Sequence, residues 1–139
     1  MQSTDAFHEL SYYTLAHPDR ERFVHQHTVD AYAAQTAGPD TKPIKLLYAL
    51  VGLFLTLERG FSGRQVQQAH MDLAKDKTDF PPLTPPPSRG SITVDEVLAA
   101  LPGPQRDAKI LEWCASVWAA YATSQATIAA YCRRRGISS

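Results

Sequence analysis

The sequence predicts an all-α protein, and three observations support this. Apolar residues recur at the three- and four-residue spacing of amphipathic helices, with almost no strand-like alternation. Proline, glycine and capping residues divide the chain into segments of helical length. With 139 residues, 44% of them apolar, the chain can bury one core without disulfides. We therefore expect a single helical domain over residues 1–139, a compact bundle of about four principal helices with short helices and a proline-rich strap.

The first two helices are predicted on either side of Pro18. A short helix is expected over residues 8–15, where apolar and aromatic residues are frequent. A second helix is expected over residues 18–36. Proline is favourable in the first turn of a helix, and Gly38 lies in a turn after the predicted end.

The third helix is predicted to be the centre of the bundle. Pro43 marks its first turn, and Gly60 closes it in a left-handed conformation. Every residue from 46 to 57 is apolar or aromatic except Gly52 and Thr56. A helix that is apolar on all sides is buried on all sides.

A fourth helix and a proline-rich segment follow. Ser62 caps the helix, which carries an apolar stripe at helical spacing. Residues 78–91 are rich in proline and cannot form a helix or an inner strand, so they are predicted to be an ordered, extended loop. This loop is either a docking peptide for a proline-reading domain or a rigid strap across the bundle. Phe80 and Leu83 favour the strap, because they would pin it to the core.

The C-terminal part is predicted to hold one short and one long helix. A capping box begins at Thr93, before residues 94–101, and an apolar face runs along residues 106–134. On one straight helix, Cys114 and Cys132 would lie about 27 Å apart and could not form a disulfide. Unpaired cysteines are typical of a reducing cytoplasm, which is the expected location.

Charge and hydropathy exclude several classes of protein. The 14 basic residues balance the 14 acidic residues, whereas a nucleic-acid binder carries a basic excess, so no nucleic-acid partner is expected. No apolar run approaches the ~20 residues of a membrane span, and residues 1–5 do not begin a signal peptide, so no membrane association is expected. Phosphate-binding, nucleophile-elbow and zinc-protease motifs are absent from the sequence, and no residue is assigned a catalytic role.

The histidines are the main functional signal. His27 lies in the apolar stripe of the second helix with Asp30 one turn later, and His70 lies in the stripe of the fourth helix. Such residues bind a divalent transition metal such as Zn, Fe or Ni, or they are hydrogen-bonded core residues. The candidate metal ligands are His27, Asp30, His70 and His8, with His25 and His17 as weaker candidates.

Three segments of the chain, residues 8–17, 25–35 and 60–71, carry a family resemblance. The most specific part is the string V-D-A-Y-A-x-Q that ends at Gln35. These segments resemble DUF5946, a bacterial family of unknown function. The resemblance implies that the histidines, Asp30 and Gln35 belong to a shared signature. Some relatives carry a C-x-x-C zinc ribbon, which this sequence lacks, so no zinc-ribbon role is implied.

A further set of residues predicts a small-ligand site. Tyr13 and Arg64, with Tyr12 and Tyr48, are candidates for a site between helices that binds a small anionic or aromatic ligand. The backbone amides beside Arg64 either hold an anion or are ordinarily capped. Gln35 joins the ligand-binding candidates through the shared signature.

Three functions therefore remain open. The best supported is a metal-binding protein or small metalloenzyme built on His27, Asp30 and His70. The second is a non-catalytic module that forms a homodimer or docks a partner through Trp118 and the proline-rich strap. The third is a binder of an unknown small ligand.

Overall fold

The computed structural model of the protein describes residues 3–16, 22–77 and 80–137, and in these ranges the chain is helical and has no strand. The all-α prediction is confirmed, and residues 78–79 of the predicted loop lie outside the described ranges. The described helices are α1 (Ser3–Ala16), α2 (Val24–Gln35), α3 (Pro43–Arg59), α4 (Gly63–Leu73), α5 (Val94–Ala99), α6 (Pro104–Ala120), a short 3-10 helix (Ala122–Ser124) and α7 (Gln125–Arg134). None of these helices has both the length and the apolar content that crossing a membrane requires.

Helix α3 lies at the centre of the fold, as its apolar sequence predicts. Nine of its residues are buried, among them Val51, which is fully buried. It packs against α2, α4, α6 and α7, so its sides are covered by other helices. Its ends also follow the prediction. Pro43 is the first helical residue, and Gly60 has the φ of 71° that glycine adopts without strain.

Helix α2 begins at Val24, later than the predicted start at residue 18, because the chain turns at Phe23. Phe23 has φ 42° and ψ 59°, a left-handed conformation that a right-handed helix cannot include. The chain contacts α4 at this turn. The backbone amide of Gly63 donates a 2.6 Å hydrogen bond to the carbonyl oxygen of Arg22. The start of α2 is therefore set by the packing of the chain against α4.

Two other helices differ from the prediction. α1 extends beyond the expected residues 8–15, and the helix expected over residues 106–134 is broken after α6. At the break, Tyr121 is buried and its hydroxyl donates a 2.6 Å hydrogen bond to the carbonyl oxygen of Ala34 in α2. The break allows α6 and α7 both to pack against α3.

The proline-rich segment forms a strap that is attached to the helices near both ends. Phe80 and Leu83 pack against the hydrophobic core, as the strap interpretation predicts. At the other end, Nε2 of Gln35 donates hydrogen bonds of 3.2 Å and 2.7 Å to the carbonyl oxygens of Arg89 and Ile92. Gln35 therefore fixes the end of the strap to α2.

Candidate functional site

Two of the candidate ligands, His27 and Asp30, lie in the interface between α2 and α3. Their exposed fractions are 6% and 3%, so both side chains point inward, as their spacing predicts. They lie one turn apart on α2 and meet Thr56 and Gly52, which lie one turn apart on α3. We refer to His27, Asp30, Gly52 and Thr56 as the α2–α3 polar line.

His27 is a neutral, buried imidazole with one ring nitrogen in a hydrogen bond. Nδ1 lies 3.2 Å from Oγ1 of Thr56, and Nε2 forms no hydrogen bond with any residue that the structure describes. Burial, together with the positive charge of Arg22, lowers the pKa of His27 to about 4. The ring is therefore uncharged at neutral pH, with one nitrogen a donor and the other an acceptor.

Asp30 is a carboxyl group in the apolar core. Its Oδ1 accepts a 3.2 Å hydrogen bond from Nε2 of Gln26, and its Oδ2 has no hydrogen-bond partner among the described residues. Burial raises the pKa of Asp30 well above its usual range, which favours the protonated form. The thiol of Cys114 donates to the carbonyl oxygen of His27 at 3.6 Å, and burial together with Asp30 raises the pKa of Cys114. Cys114 is therefore a thiol rather than a nucleophilic thiolate.

Gly52 interrupts the apolar sequence of α3 because Asp30 occupies the space of a side chain there. A Cβ atom at position 52 would overlap Oδ2 and Cγ of Asp30. Any residue larger than glycine would therefore displace the carboxyl group or separate the two helices.

We expect Gly52→Ala to destabilise the protein by about 1–2 kcal/mol, because overpacking costs more than the ~1 kcal/mol that alanine gains in helix propensity. Urea denaturation measures this difference. Asp30→Ala removes the overlap, so the double variant should be more stable than the two single effects added together. Gly38→Ala is the matched control, since a Cβ at Gly38 meets no atom within 4 Å. If the effects of Gly52→Ala and Asp30→Ala on the free energy of unfolding simply add in the double variant, the close packing of Asp30 on Gly52 is contradicted.

A cavity of about 200 Å³ lies beside His27, where residues of α2, α3 and the α3–α4 turn meet α6. Its walls combine a cation, an imidazole, two hydroxyl groups and apolar side chains: Arg22, Val24, His27, Thr56, Gly60, Phe61, Ser62 and Leu111. The guanidinium of Arg22 also forms an ion pair with Asp107 of α6, with a nitrogen–oxygen distance of 3.5 Å. Ser62 is the predicted cap of α4, and it forms a closed capping box with Gln65.

The structure does not bring His70 to His27. Nε2 of His70 donates a 2.8 Å hydrogen bond to the carbonyl oxygen of Tyr48, and the two rings stack with their centroids 5.2 Å apart. Burial lowers the pKa of His70. Tyr48 and Thr56 are about 12 Å apart along the axis of α3. The two histidines therefore contact different turns of α3, and His70 does not line the cavity beside His27.

The remaining candidate histidines lie elsewhere. His8 is exposed on α1, with its ring centroid 6.0 Å from that of Phe7. His25 connects α2 to α1 through a 2.9 Å contact between its Nδ1 and Oγ1 of Thr14, and burial lowers its pKa. His17 lies outside the described residues. In residues 3–16, 22–77 and 80–137, no three or more His, Cys, Asp or Glu side chains are grouped to hold a metal ion. Metal binding stays a prediction.

Three of the residues predicted to bind a small ligand, Tyr13, Gln35 and Arg64, are separated, and each makes structural contacts. The guanidinium of Arg64 lies 4.0 Å from the centroid of the Phe23 ring. The hydroxyl of Tyr13 accepts a 2.6 Å hydrogen bond from the backbone amide of Gly103. Gln35 holds the strap. These residues position the chain around α2 and do not line the cavity beside His27.

The other aromatic candidates are also separated. Tyr12 is 75% exposed on α1, whereas Tyr48 stacks on His70, so the two tyrosines do not share a site. Trp118 is 5% exposed, and its indole N–H donates a 3.0 Å hydrogen bond to Oε2 of Glu58. Trp118 is therefore packed within the chain and offers little surface for docking a partner.

Four residues that surround His27 and Asp30 are not among the residues that the sequence predicts for the site. These are Arg22, Gly52, Thr56 and Cys114. Gly52 and Thr56 do carry a signal, because they are the two exceptions in the apolar sequence of α3. The sequence gives no such signal for Arg22, because the position of Arg22 depends on the turn at Phe23.

A larger cavity, of about 390 Å³, lies between the strap and the turn before α3. It is lined mainly by prolines and small or apolar residues: Gly38, Pro39, Thr41, Pro43, Leu46, Pro81, Pro82, Leu83, Thr84 and Pro85. None of these side chains titrates, and only the two threonines carry a polar group. Ligand sites usually combine apolar walls with a few converging polar or titratable groups. The cavity beside His27 fits that description better.

A comparison with protein-family models matches residues 4–122 of the chain to a family described as "Family of unknown function (DUF5946)". The match covers the whole α2–α3 polar line and every residue that lines the cavity beside His27. The resemblance to this family is confirmed. No curated protein and no solved structure matches the chain.

Proposed function

We propose that the protein, which belongs to the family of unknown function DUF5946, binds a small organic molecule in the cavity beside His27. One observation carries the proposal. A neutral imidazole that is only 6% exposed lines the cavity, and its Nε2 forms no hydrogen bond with the described residues. Nε2 is not one of the fully buried polar atoms that lack a partner among the described residues, so it is open to the cavity, where a bound molecule would meet it.

The composition of the walls supports the same function. Val24, Phe61 and Leu111 provide apolar contact, while Arg22 and Thr56 supply polar groups that would orient a bound molecule. The volume of about 200 Å³ is comparable to the ~150 Å³ of an engineered apolar cavity that binds benzene, so the cavity has room for a small organic molecule.

The test is an NMR titration of the full chain with short-chain carboxylates, amides, amines and phenols. We expect at least one class to shift the imidazole resonances of His27 while leaving those of His8, an exposed histidine, unchanged. Leu111→Trp should abolish the shift, because Leu111 is 41% exposed at the edge of the cavity and a larger side chain would fill it.

Met71→Trp is the matched control, since Met71 is 56% exposed on α4 and does not line the cavity. Binding that survives Leu111→Trp, or that shifts only His25 or His70, would overturn the assignment. The proposal also fails if none of the four classes perturbs His27 at millimolar concentration.

Metal binding through His27 and Asp30 is the second candidate. The observation that favours it is Oδ2 of Asp30, a buried oxygen with no hydrogen-bond partner among the described residues. Elemental analysis of protein purified without a histidine tag is the direct test. Stoichiometric Zn, Fe or Ni that is lost in both His27→Ala and Asp30→Ala would support this function. A chain without these metals that also fails to take them up would rule it out.

Homodimerisation and a cytoplasmic location stay predictions from the sequence. The solution mass of the purified chain tests the first of them. Because Trp118 is packed within the chain, a dimer would have to use another surface.

A further inference from the structure

We propose that the molecule bound beside His27 is a small carboxylate anion of about the size of butyrate, with its carboxylate between Arg22 and His27. This inference rests on the proposed function and adds the charge and shape of the ligand. It follows from the charges that border the cavity, from the hydrogen-bond donors in its walls and from its volume.

The described walls of the cavity include a cationic side chain and no acidic one. Arg22 is the charged side chain among the described residues that line it, and none of those residues is acidic. Asp30 and Cys114, which adjoin His27 on its other side, are both favoured in their neutral forms by burial. Asp107 pairs with the guanidinium at 3.5 Å from outside these lining residues, so a carboxylate in the cavity would share Arg22 with it.

The start of α4 contributes a positive electrostatic field at the cavity. Ser62, its N-cap, lines the cavity, and the first residues of a helix carry a partial positive charge. The capping box between Ser62 and Gln65 satisfies two of the terminal backbone amides, so α4 contributes a field rather than a set of free donors. The contacts that bind the carboxylate must therefore come from side chains.

Arg22 and His27 supply suitable donors. A guanidinium presents several N–H groups in the planar arrangement that suits a carboxylate, and Arg22 pairs with Asp107 through one nitrogen–oxygen contact of 3.5 Å. If the hydroxyl of Thr56 donates to Nδ1 of His27, then Nε2 carries the ring proton and donates as well. A ligand carboxylate placed there would accept both hydrogen bonds.

The apolar walls and the volume define the rest of the ligand. Val24, Phe61 and Leu111 would contact a short hydrocarbon chain, which inorganic phosphate lacks. The cavity, of about 200 Å³, has room for a short-chain carboxylate. We therefore expect a linear or branched short-chain carboxylate rather than inorganic phosphate.

The test compares four probes by NMR titration at neutral pH: butyrate, butyramide, butylamine and inorganic phosphate. Butyrate and butyramide have nearly the same shape, so the difference between their affinities measures the effect of the ligand's negative charge on binding. We expect butyrate to bind about tenfold more tightly than butyramide, because hydrogen bonds to a charged acceptor are stronger.

The outcomes separate this inference from the proposed function. Equal affinities for butyrate and butyramide, or a preference for butylamine, would overturn the carboxylate while leaving a ligand site beside His27. Tighter binding of phosphate than of butyrate would overturn the carboxylate in favour of a phosphoryl group. If none of the four probes perturbs His27, the carboxylate inference fails, and the proposed function then depends on the other compound classes.

Two variants test the role of Arg22 independently. Arg22→Gln should weaken butyrate binding about tenfold and leave butyramide binding unchanged. The side chain is 55% exposed, so the variant should fold. Asp107→Asn should tighten butyrate binding, since it removes the carboxylate that competes for the guanidinium. Arg59→Gln is the control, because Arg59 does not line the cavity. Unchanged butyrate binding in both Arg22→Gln and Asp107→Asn would overturn the proposal.

Discussion

Val51→Asp is expected to lower the free energy of unfolding by about 4 kcal/mol or more. Val51 is fully buried in α3, which packs against four other helices. An aspartate there either carries an unpaired charge or binds a proton and remains a buried polar group. Such substitutions cost about 4 kcal/mol or more, whereas whole domains are stable by only ~5–15 kcal/mol. Far-UV circular dichroism and urea denaturation measure the loss.

Lys45→Asp provides the matched control for this prediction. Lys45 is exposed near the start of the same helix, where a negative charge is favourable, so its replacement should change stability by less than about 0.5 kcal/mol. If the Val51 and Lys45 variants melt at the same temperature as the unmodified chain, α3 is not the centre of the core.

His27 is expected to make the protein sensitive to acid. Its pKa is about 4 in the folded chain and about 6.5 in an unfolded chain, so folding favours the neutral ring. The contribution of His27 to the free energy of unfolding is fully present above pH 6.5 and is lost as the pH falls towards 4. The loss amounts to about 3 kcal/mol, since each unit of pKa shift corresponds to about 1.4 kcal/mol.

A comparison of variants isolates this effect, because other groups titrate in the same range. The raised pKa of Asp30 acts in the opposite direction, since folding favours its protonated form and that contribution is regained on acidification. Between pH 7 and pH 4, His27→Gln should lose about 3 kcal/mol less stability than the unmodified chain. Asp30→Asn should lose more. Identical pH profiles for His27→Gln and the unmodified chain would show that folding does not depress the pKa of His27.

The helix boundaries that the sequence predicts well are those set by local chemistry. Pro43, Gly60, Ser62 and Thr93 act within one turn of the helix that they begin or end, so their positions are readable from neighbouring residues. The start of α2 and the break before α7 are different. They depend on contacts with α4 and with the end of α2, which lie far away in the sequence.

The candidate site is also predicted only in part. Helical periodicity correctly predicts that His27 and Asp30 point inward, because it fixes the face of a helix on which a side chain lies. Periodicity does not determine which turn of the neighbouring helix the side chain contacts. The sequence therefore predicts one site for His70 and His27, although His70 contacts a different turn of α3. Gly52 and Thr56 could have supplied that information. They are four residues apart on α3, and His27 and Asp30 are three apart on α2, so each pair spans about one helical turn.

The strap shows that order in a chain does not require hydrogen bonds between its own backbone groups. Among the described residues, no backbone–backbone hydrogen bond involves residues 80–92, and the strap is held by the packing of Phe80 and Leu83, by Gln35 and by Oγ of Ser116, which accepts from the amide of Ser91. Amide hydrogen exchange measures protection by hydrogen bonds, so most non-proline amides of the strap should exchange quickly. Proteolysis requires a backbone that can leave the surface and enter a protease, which the prolines and the attached ends oppose. Two common measures of flexibility therefore give opposite descriptions of this segment.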